Sequence, residues 1–377
     1  MTDLRIYKRN SNLEIIDEIT VYKNLEFIKA FNAPGKWKMT GFGSVPFSKN
    51  QWLVIEQDDE SLFYGIVKAI SKDTVNQNGK MLSTWEITGL DSLAILSHRH
   101  ALPDPVTLNF STSEYDTRTG SAGSVIVQYV DYNCGSNAVA SRQFGKFQVE
   151  ASSLGATITG KARFQNLLSF ISDLAILGGG LGFKVVYDKI LDKLVFKVYQ
   201  PADRSNSVKF SVDFGNVQEF SYREEAPEGN YIVALGQGEG IARYYSIQQD
   251  ADSITDWGLI EYIKDQRNEP DSTKLSSWAL AELEKRKAVQ GFSVVPTDVS
   301  GVSFAFGTDY DLGDIVTMTD DEITLQANIS EVITTISENG VIKTKPVLGD
   351  IKTIPLAKTF SRIKDIENRI NLLENSV

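Results

Sequence analysis

The chain has 377 residues, 42% of them hydrophobic and 23% charged, with a net charge of −11, the composition of a soluble protein of two to four units with filled cores. No stretch approaches the roughly 18 to 20 apolar residues of a membrane helix, and the acidic balance opposes nucleic-acid binding through phosphate neutralisation. Cys134 is the single cysteine and there are two histidines, which excludes an intrachain disulfide and a Cys/His zinc site; Cys134 reads as a small semi-buried residue. Met1-Thr2-Asp3-Leu4-Arg5 lacks an apolar signal core, so synthesis in a cytoplasm is expected.

Residues 1 to about 105 read as short strands: Leu13-Glu14-Ile15-Ile16, Leu53-Val54-Ile55-Glu56, Leu62 to Val67 and Thr84 to Thr88. Turn chemistry separates them at Ala33-Pro34-Gly35, Gln57 to Glu60 and Asn76-Gln77-Asn78-Gly79, a spacing that predicts a sandwich or barrel. Asp91 caps a short helix through Leu96, and Pro103-Asp104-Pro105 breaks the chain.

An α+β unit follows over 106–215. Val125, Ile126, Tyr129 and Val130 share one helical face, and Phe164, Leu167, Leu168, Ile171, Leu174 and Ala175 recur at spacings of a second helix that Gly178-Gly179-Gly180 ends. Phe183 to Tyr187 and Leu194 to Val198 then pair across Asp188 to Lys193 as a hairpin. From 216 to 355 strands resume at Gly229 to Gly236, Val289 to Val295 and Asp314 to Thr319. A helix over 272–289 interrupts them, with Leu275, Trp278, Ala279 and Leu283 on its apolar side. Asn339-Gly340 predicts a tight hairpin between Glu331–Ile336 and Val341–Thr344, because both residues tolerate positive φ.

Residues 356–377 change character. Ile363, Ile366, Ile370, Leu373 and Val377 recur at spacings of three and four between charged residues, a heptad seam whose isoleucines favour a parallel trimer. The alternative is an amphipathic helix packed on its own subunit.

The sequence carries no recognisable catalytic, cofactor-binding or metal-ligating set. Gly236-Gln237-Gly238-Glu239-Gly240 lacks the helix a nucleotide loop would open, and Ile241 to Tyr245 reads as another strand, so the glycines form a hairpin turn. His98 and His100 have no carboxylate at ligand spacing. Asp58-Asp59-Glu60 and Asp320-Asp321-Glu322 lack the alternation of a calcium loop. No local signature marks a nucleophile around Cys134.

Four stretches point to a family: Phe63-Tyr64-Gly65-Ile66-Val67, Thr84 to Leu93, Asn230 to Gly240, and Tyr310-Asp311-Leu312-Gly313-Asp314-Ile315-Val316. In their order along the chain they resemble the tail-associated (Tal) and baseplate hub proteins of siphophages and prophages. The resemblance implies a mainly β protein with two tube-type β-barrel domains (1–105 and 216–355), an inserted α+β domain (106–215) and a C-terminal coiled-coil helix (356–377). It further implies a homotrimer at the virion tail tip, made in the bacterial host cytoplasm, whose ring of six barrels continues the tail tube and passes DNA on host contact. Its partners would be the distal tail protein ring, the tape-measure protein and receptor-binding or fibre proteins. The −11 charge suits a lumen along which DNA slides. Two other readings stand beside this one: a saccharide-binding receptor module of the tail tip, and a cell-wall-degrading tail enzyme whose catalytic domain lies outside this chain.

Overall fold

Strand-length runs of β-branched and aromatic residues with period-two burial build most of the molecule. The strand Ala33–Phe42 shows the pattern clearly, burying Gly35, Trp37, Met39 and Gly41 while the residues between them face outward. The computed structural model describes residues 3–349 other than 59, 78–79, 266, 268–271, 297–303 and 321–322. The predicted seam of Ile363, Ile366, Ile370, Leu373 and Val377 lies outside the described residues. The chain divides into two units, the first formed by Met1–Phe220 with Ser293–Leu348 and the second by Ser221–Phe292.

The first unit opens with β1 (Leu4–Arg9), β2 (Ile15–Glu18), β3 (Asn24–Ala30), β4 (Ala33–Phe42), β5 (Trp52–Gln57), β6 (Glu60–Gln77) and β7 (Lys80–Asp91). The segment that follows carries α1 (Ala94–Ser97), β8 (His100–Ala101), β9 (Asp116–Ser121), α2 (Ala122–Cys134), β10 (Phe147–Val149), β11 (Thr157–Ala162), β12 (Gln165–Asn166), α3 (Leu167–Leu177), β13 (Gly182–Asp188) and β14 (Lys193–Tyr199). After β15 (Lys209–Ser211), the chain leaves the unit within β16 (Val217–Glu225). The second unit contains β17 (Tyr231–Leu235), β18 (Tyr245–Gln249), α4 (Ala251–Trp257), β19 (Glu261–Asp265) and α5 (Ser272–Lys285). The chain returns to the first unit within β20 (Val289–Pro296) and continues through β21 (Ile315–Thr319), β22 (Thr324–Ser337) and β23 (Ile342–Gly349).

The protein is mainly β, as expected, but the described residues form no closed barrel. One 13-stranded sheet runs in the order β16-β20-β23-β22-β3-β4-β7-β6-β5-β1-β2, with β21 branching from β22 and β15 from β21. Closure of the N-terminal strands on themselves needs the outer edge of β3. That edge pairs instead with β22, in an antiparallel register from Ala30↔Glu331 to Asn24↔Ser337. The ladder therefore stays open and joins strands from both ends of the chain.

Two hydrophobic clusters among the described residues carry much of the first unit. One packs Ile6, Leu25, Phe27, Trp37, Met39, Leu53, Ile55, Phe63, Trp85 and Ile87 from the N-terminal strands together with Ile336 of β22. The other fuses Leu13, Trp52, Val54, Tyr64 and Leu93 to the buried faces of α2, α3, β13 and β14. Each side chain so buried contributes about 1.5–3 kcal/mol. The helical face of Val125, Ile126, Tyr129 and Val130 is wholly buried on α2. Phe164, by contrast, lies ahead of α3 with φ 64° and is 46% exposed; the helix starts only at Leu167, where Asn166 accepts the Ser169 N–H.

In the second unit β18-β17-β19 form a small sheet, and Ile232 and Ala234 pack against Leu275, Ala279 and Leu283 of α5. Trp278 does not join that face and is 45% exposed. Residues 240–242 form a 3₁₀ turn, so the strand predicted from Ile241 begins only at Tyr245.

Candidate assembly surfaces

Each stretch that carries the family resemblance contains a packing or hydrogen-bonding device. Gly65 and Gly89, from the first two, make room for the Trp37 indole: a Cβ at Gly89 would stand 2.2 Å from Trp37 Nε1, and one at Gly65 would stand 2.5 Å from it. Asp91 accepts the Leu93 N–H at 3.0 Å, bracing the turn before α1, although Leu93 and not Asp91 occupies the N-cap. Asn230 is 1% exposed; its amide oxygen accepts the Ile260 N–H at 2.7 Å and its amide NH2 donates to Gly258 O at 2.8 Å. It thereby fixes the start of β17 beside the loop leading into β19. In the fourth stretch Asp314, 4% exposed, accepts the Ala202 N–H (2.7 Å), the Arg204 Nε–H (2.7 Å) and the Asp311 N–H (3.0 Å). Gly313, at φ 84°, lies where a Cβ would meet the Phe31 ring at 2.3 Å.

The segment between α1 and β15 is joined to the N-terminal strands by a polar cluster. Arg9 lies over the rings of Tyr64 and Tyr187 at 5.5 and 5.0 Å, and those two rings stack at 4.7 Å. Its guanidinium donates to Leu13 O at 3.0 Å and approaches Glu56 at 3.5 Å, while Lys189 reaches the other Glu56 oxygen at 3.4 Å. Burial pushes the Tyr64 hydroxyl well above its ordinary value. These groups tie the elements together.

The residues with candidate chemistry are not brought together. His98 faces Lys68, and burial with Lys68 and Arg99 nearby lowers its ring below the ordinary value. Cys134 is fully buried, donates to Val130 O at 3.3 Å, and burial pushes its thiol up to about 12. Asp58 accepts the Asp3 N–H, tying the turn after β5 to the residue ahead of β1, and Asp320 accepts the Ile323 N–H as a turn brace. Among the described residues no three His, Cys, Asp or Glu side chains gather at metal-binding distance. The loop at Gly236–Gly240 joins antiparallel β17 and β18, as its reading as a hairpin turn predicts.

Two surfaces are open to other chains. Among the described residues the outermost strand β2 pairs only with β1, and Ile15 and Ile16 on it are 58% and 45% exposed. Unpaired N–H and C=O groups along such an edge are a template for strand addition. The second surface is the outer part of the β6–β7 hairpin. Past Asp73↔Thr84 the two strands pair with each other as far as Gln77↔Lys80, whereas β4 stops at Phe42↔Thr84 and β5 at Trp52↔Ile66. Val75, Met81 and Leu82 on this projection are 58%, 67% and 52% exposed. Sequence reading found both strands but not that they outrun their neighbours, because hairpin length is set by pairing and not by propensity.

This fold, a mainly β ladder with an α+β segment between its N- and C-terminal strands, is shared with solved phage tail proteins. The chain is similar to the 43 kDa tail protein of prophage MuSo2 from Shewanella oneidensis (12% identity, 91% of this chain and 98% of that one, TM-score 0.56). It is similar also to a tail protein from Neisseria meningitidis MC58 (13%, 92% and 97%, TM-score 0.53) and to prophage tail protein gp18 from Listeria monocytogenes EGD-e (11%, 97% and 99%, TM-score 0.50). Residues 3–350 match the siphovirus ReqiPepy6 Gp37-like protein family, and the chain belongs to that family. No curated protein sequence matches it. The resemblance to tail and baseplate proteins drawn from the four stretches is thus met by family and fold.

Proposed function

We propose that this tail protein is the hub subunit of the tail tip, a structural and non-enzymatic component that assembles as a homotrimeric ring. The observation that carries the reading is the β3–β22 ladder, which puts strands from the two ends of one chain on a single open sheet. Each subunit then offers two strand-rich segments to a ring, and an edge such as β2 meets the next copy head to tail, the contact type that generates closed rings. The seam of Ile363, Ile366, Ile370, Leu373 and Val377 would hold three chains in parallel. The distal tail protein ring and the tape-measure protein would abut the ring, receptor-binding or fibre proteins would attach below it, and DNA would pass through an acidic lumen that does not retain it.

The test is the absolute mass of the purified chain by light scattering, beside a variant lacking residues 360–377. A threefold mass supports the ring, and its loss in the shortened variant assigns assembly to the seam. A monomer at every concentration overturns the self-assembling ring. The saccharide-binding reading has one observation in its favour, the exposure of Trp257 and Trp278 at 38% and 45%; binding on a glycan array that Trp257→Ala abolishes would establish it.

A further inference from the structure

The large sheet turns one face away from its core, and the charge on that face runs against the charge of the chain. Residues directly opposite each other on antiparallel strands share a face, so the registers lay out two rows. One runs Lys345, Ile333, Ile28, Lys36, Leu90, Ile66 from β23 to β6. The next runs Lys343, Thr335, Glu26, Lys38, Thr88. Phe27, Trp37 and Ile87 alternate with these residues and fill the core on the other side. Lys36, Lys38 and Lys343 are exposed, and the four aliphatic side chains of the first row are half-buried. Lys68, exposed beside the irregularity of β6 between Val67 and Ala69, joins Lys36, Lys38 and Glu26 around a cavity of about 370 Å3 that Ile28 and Leu90 also line.

Carboxylates answer little of this charge. Glu86 is taken by Lys38 at 2.6 Å, and Glu26 and Glu331 are the other acids by register on these strands. Lys36, Lys68, Lys343 and Lys345 make no ion pair among the described residues. Beyond Lys68 the positive charge continues. The Lys68 ammonium meets His98, and two guanidiniums follow that carbonyl oxygens hold in place of carboxylates. Arg99 Nε–H donates to Arg142 O at 3.3 Å, and Arg142 donates to His100 O at 2.7 Å and to Asn133 Oδ1 at 3.2 Å. Burial lowers the His98 ring, and the charges of Lys68 and Arg99 lower it further.

We propose that this face docks an acidic polypeptide segment of a partner protein, with carboxylates on the lysines and aliphatic side chains against the Ile28 and Leu90 floor. Charge complementarity selects the partner: unpaired lysines gather here on a chain whose net charge is −11. Spacing agrees with an extended segment. Lys36 and Lys38, like Lys343 and Lys345, stand two residues apart on one strand, about 7 Å, as carboxylates at i and i+2 of an extended chain do. The two lysine pairs lie three strand spacings apart, about 14 Å, with Ile28 and Ile333 between them. A nucleic-acid backbone would supply phosphates but nothing to cover that aliphatic strip, and the remainder of this acidic chain repels a long polyanion. The surface rests on the sheet registers and holds whether or not three chains form a ring.

The probe is a fluorescein-labelled octapeptide alternating glutamate and valine, titrated against the full chain and followed by anisotropy. Binding is expected to weaken steeply between about 50 and 300 mM salt, and an octapeptide alternating lysine and valine should not bind. Lys36→Glu with Lys68→Glu should weaken binding on the order of tenfold at an unchanged melting temperature, while Lys161→Glu, an exposed position on β11, leaves it unaltered. Should the charge reversals lower the melting temperature, Lys36→Gln with Lys68→Gln decides, with a smaller loss expected. Absence of binding, an equal effect of Lys161→Glu, or tighter binding of a short DNA duplex than of the acidic peptide overturns the proposal.

Discussion

The Trp37 indole lies against Gly89, its direct partner across the β4–β7 pairing, with its Nε1 buried and unpaired. The contact exists only because Gly89 has no Cβ: one built there would stand 2.2 Å from Nε1 and 2.1 Å from Ile66 O. Gly89→Ala is therefore expected to cost about 3 kcal/mol through overpacking, read as a lower urea midpoint. Since Ile66 O is backbone, moving the tryptophan cannot relieve the clash; a loss under about 1 kcal/mol would contradict this account.

Asp314 holds the exit of the α+β segment against the start of β21. Asp314→Ala strands the Ala202 and Asp311 N–H groups and removes the acceptor of Arg204, so a loss of about 2–4 kcal/mol is expected. Asp314→Asn keeps one acceptor oxygen and should lose less. Paired denaturation curves check the order of the two variants.

Cys134 is expected to be inert in the native protein, because burial holds it as a thiol and the thiolate is the reactive form. An aromatic disulfide reagent at pH 8 should leave native protein unmodified and titrate one thiol per chain after denaturation. Fast native labelling would show that α2 opens locally.

The projecting end of the β6–β7 hairpin separates assembly from stability. Val75→Lys with Leu82→Lys alters exposed positions, so stability should change by less than about 0.5 kcal/mol per site. If the projection contacts neighbouring tail subunits, the double variant keeps its melting temperature but loses assembly with them, which sedimentation would show.

The sequence by itself determined the local elements and the family. Period-two and period-3.6 patterning located most strands, the buried face of α2 and the β13–β14 hairpin, because each depends on neighbours within a few residues. Asn339-Gly340 marked the β22–β23 turn, although the structure resolves it as a wider loop. Gly340 alone takes positive φ (74°), and its N–H bonds Ser337 O at 2.9 Å, the three-residue geometry of a turn followed by a bulge. Tertiary structure decided what periodicity does not encode. Phe164 and Trp278 matched helical spacing yet stand in solvent, since one precedes the helix cap and the other falls outside the stripe that Leu275, Ala279 and Leu283 bury. The open ladder was hidden for the same reason: pairing β3 with β22 joins residues some 300 positions apart, and no local pattern specifies which edge a strand will choose. The glycines of the family stretches were visible as letters, but their purpose appeared only once Trp37 and Phe31 were placed against them.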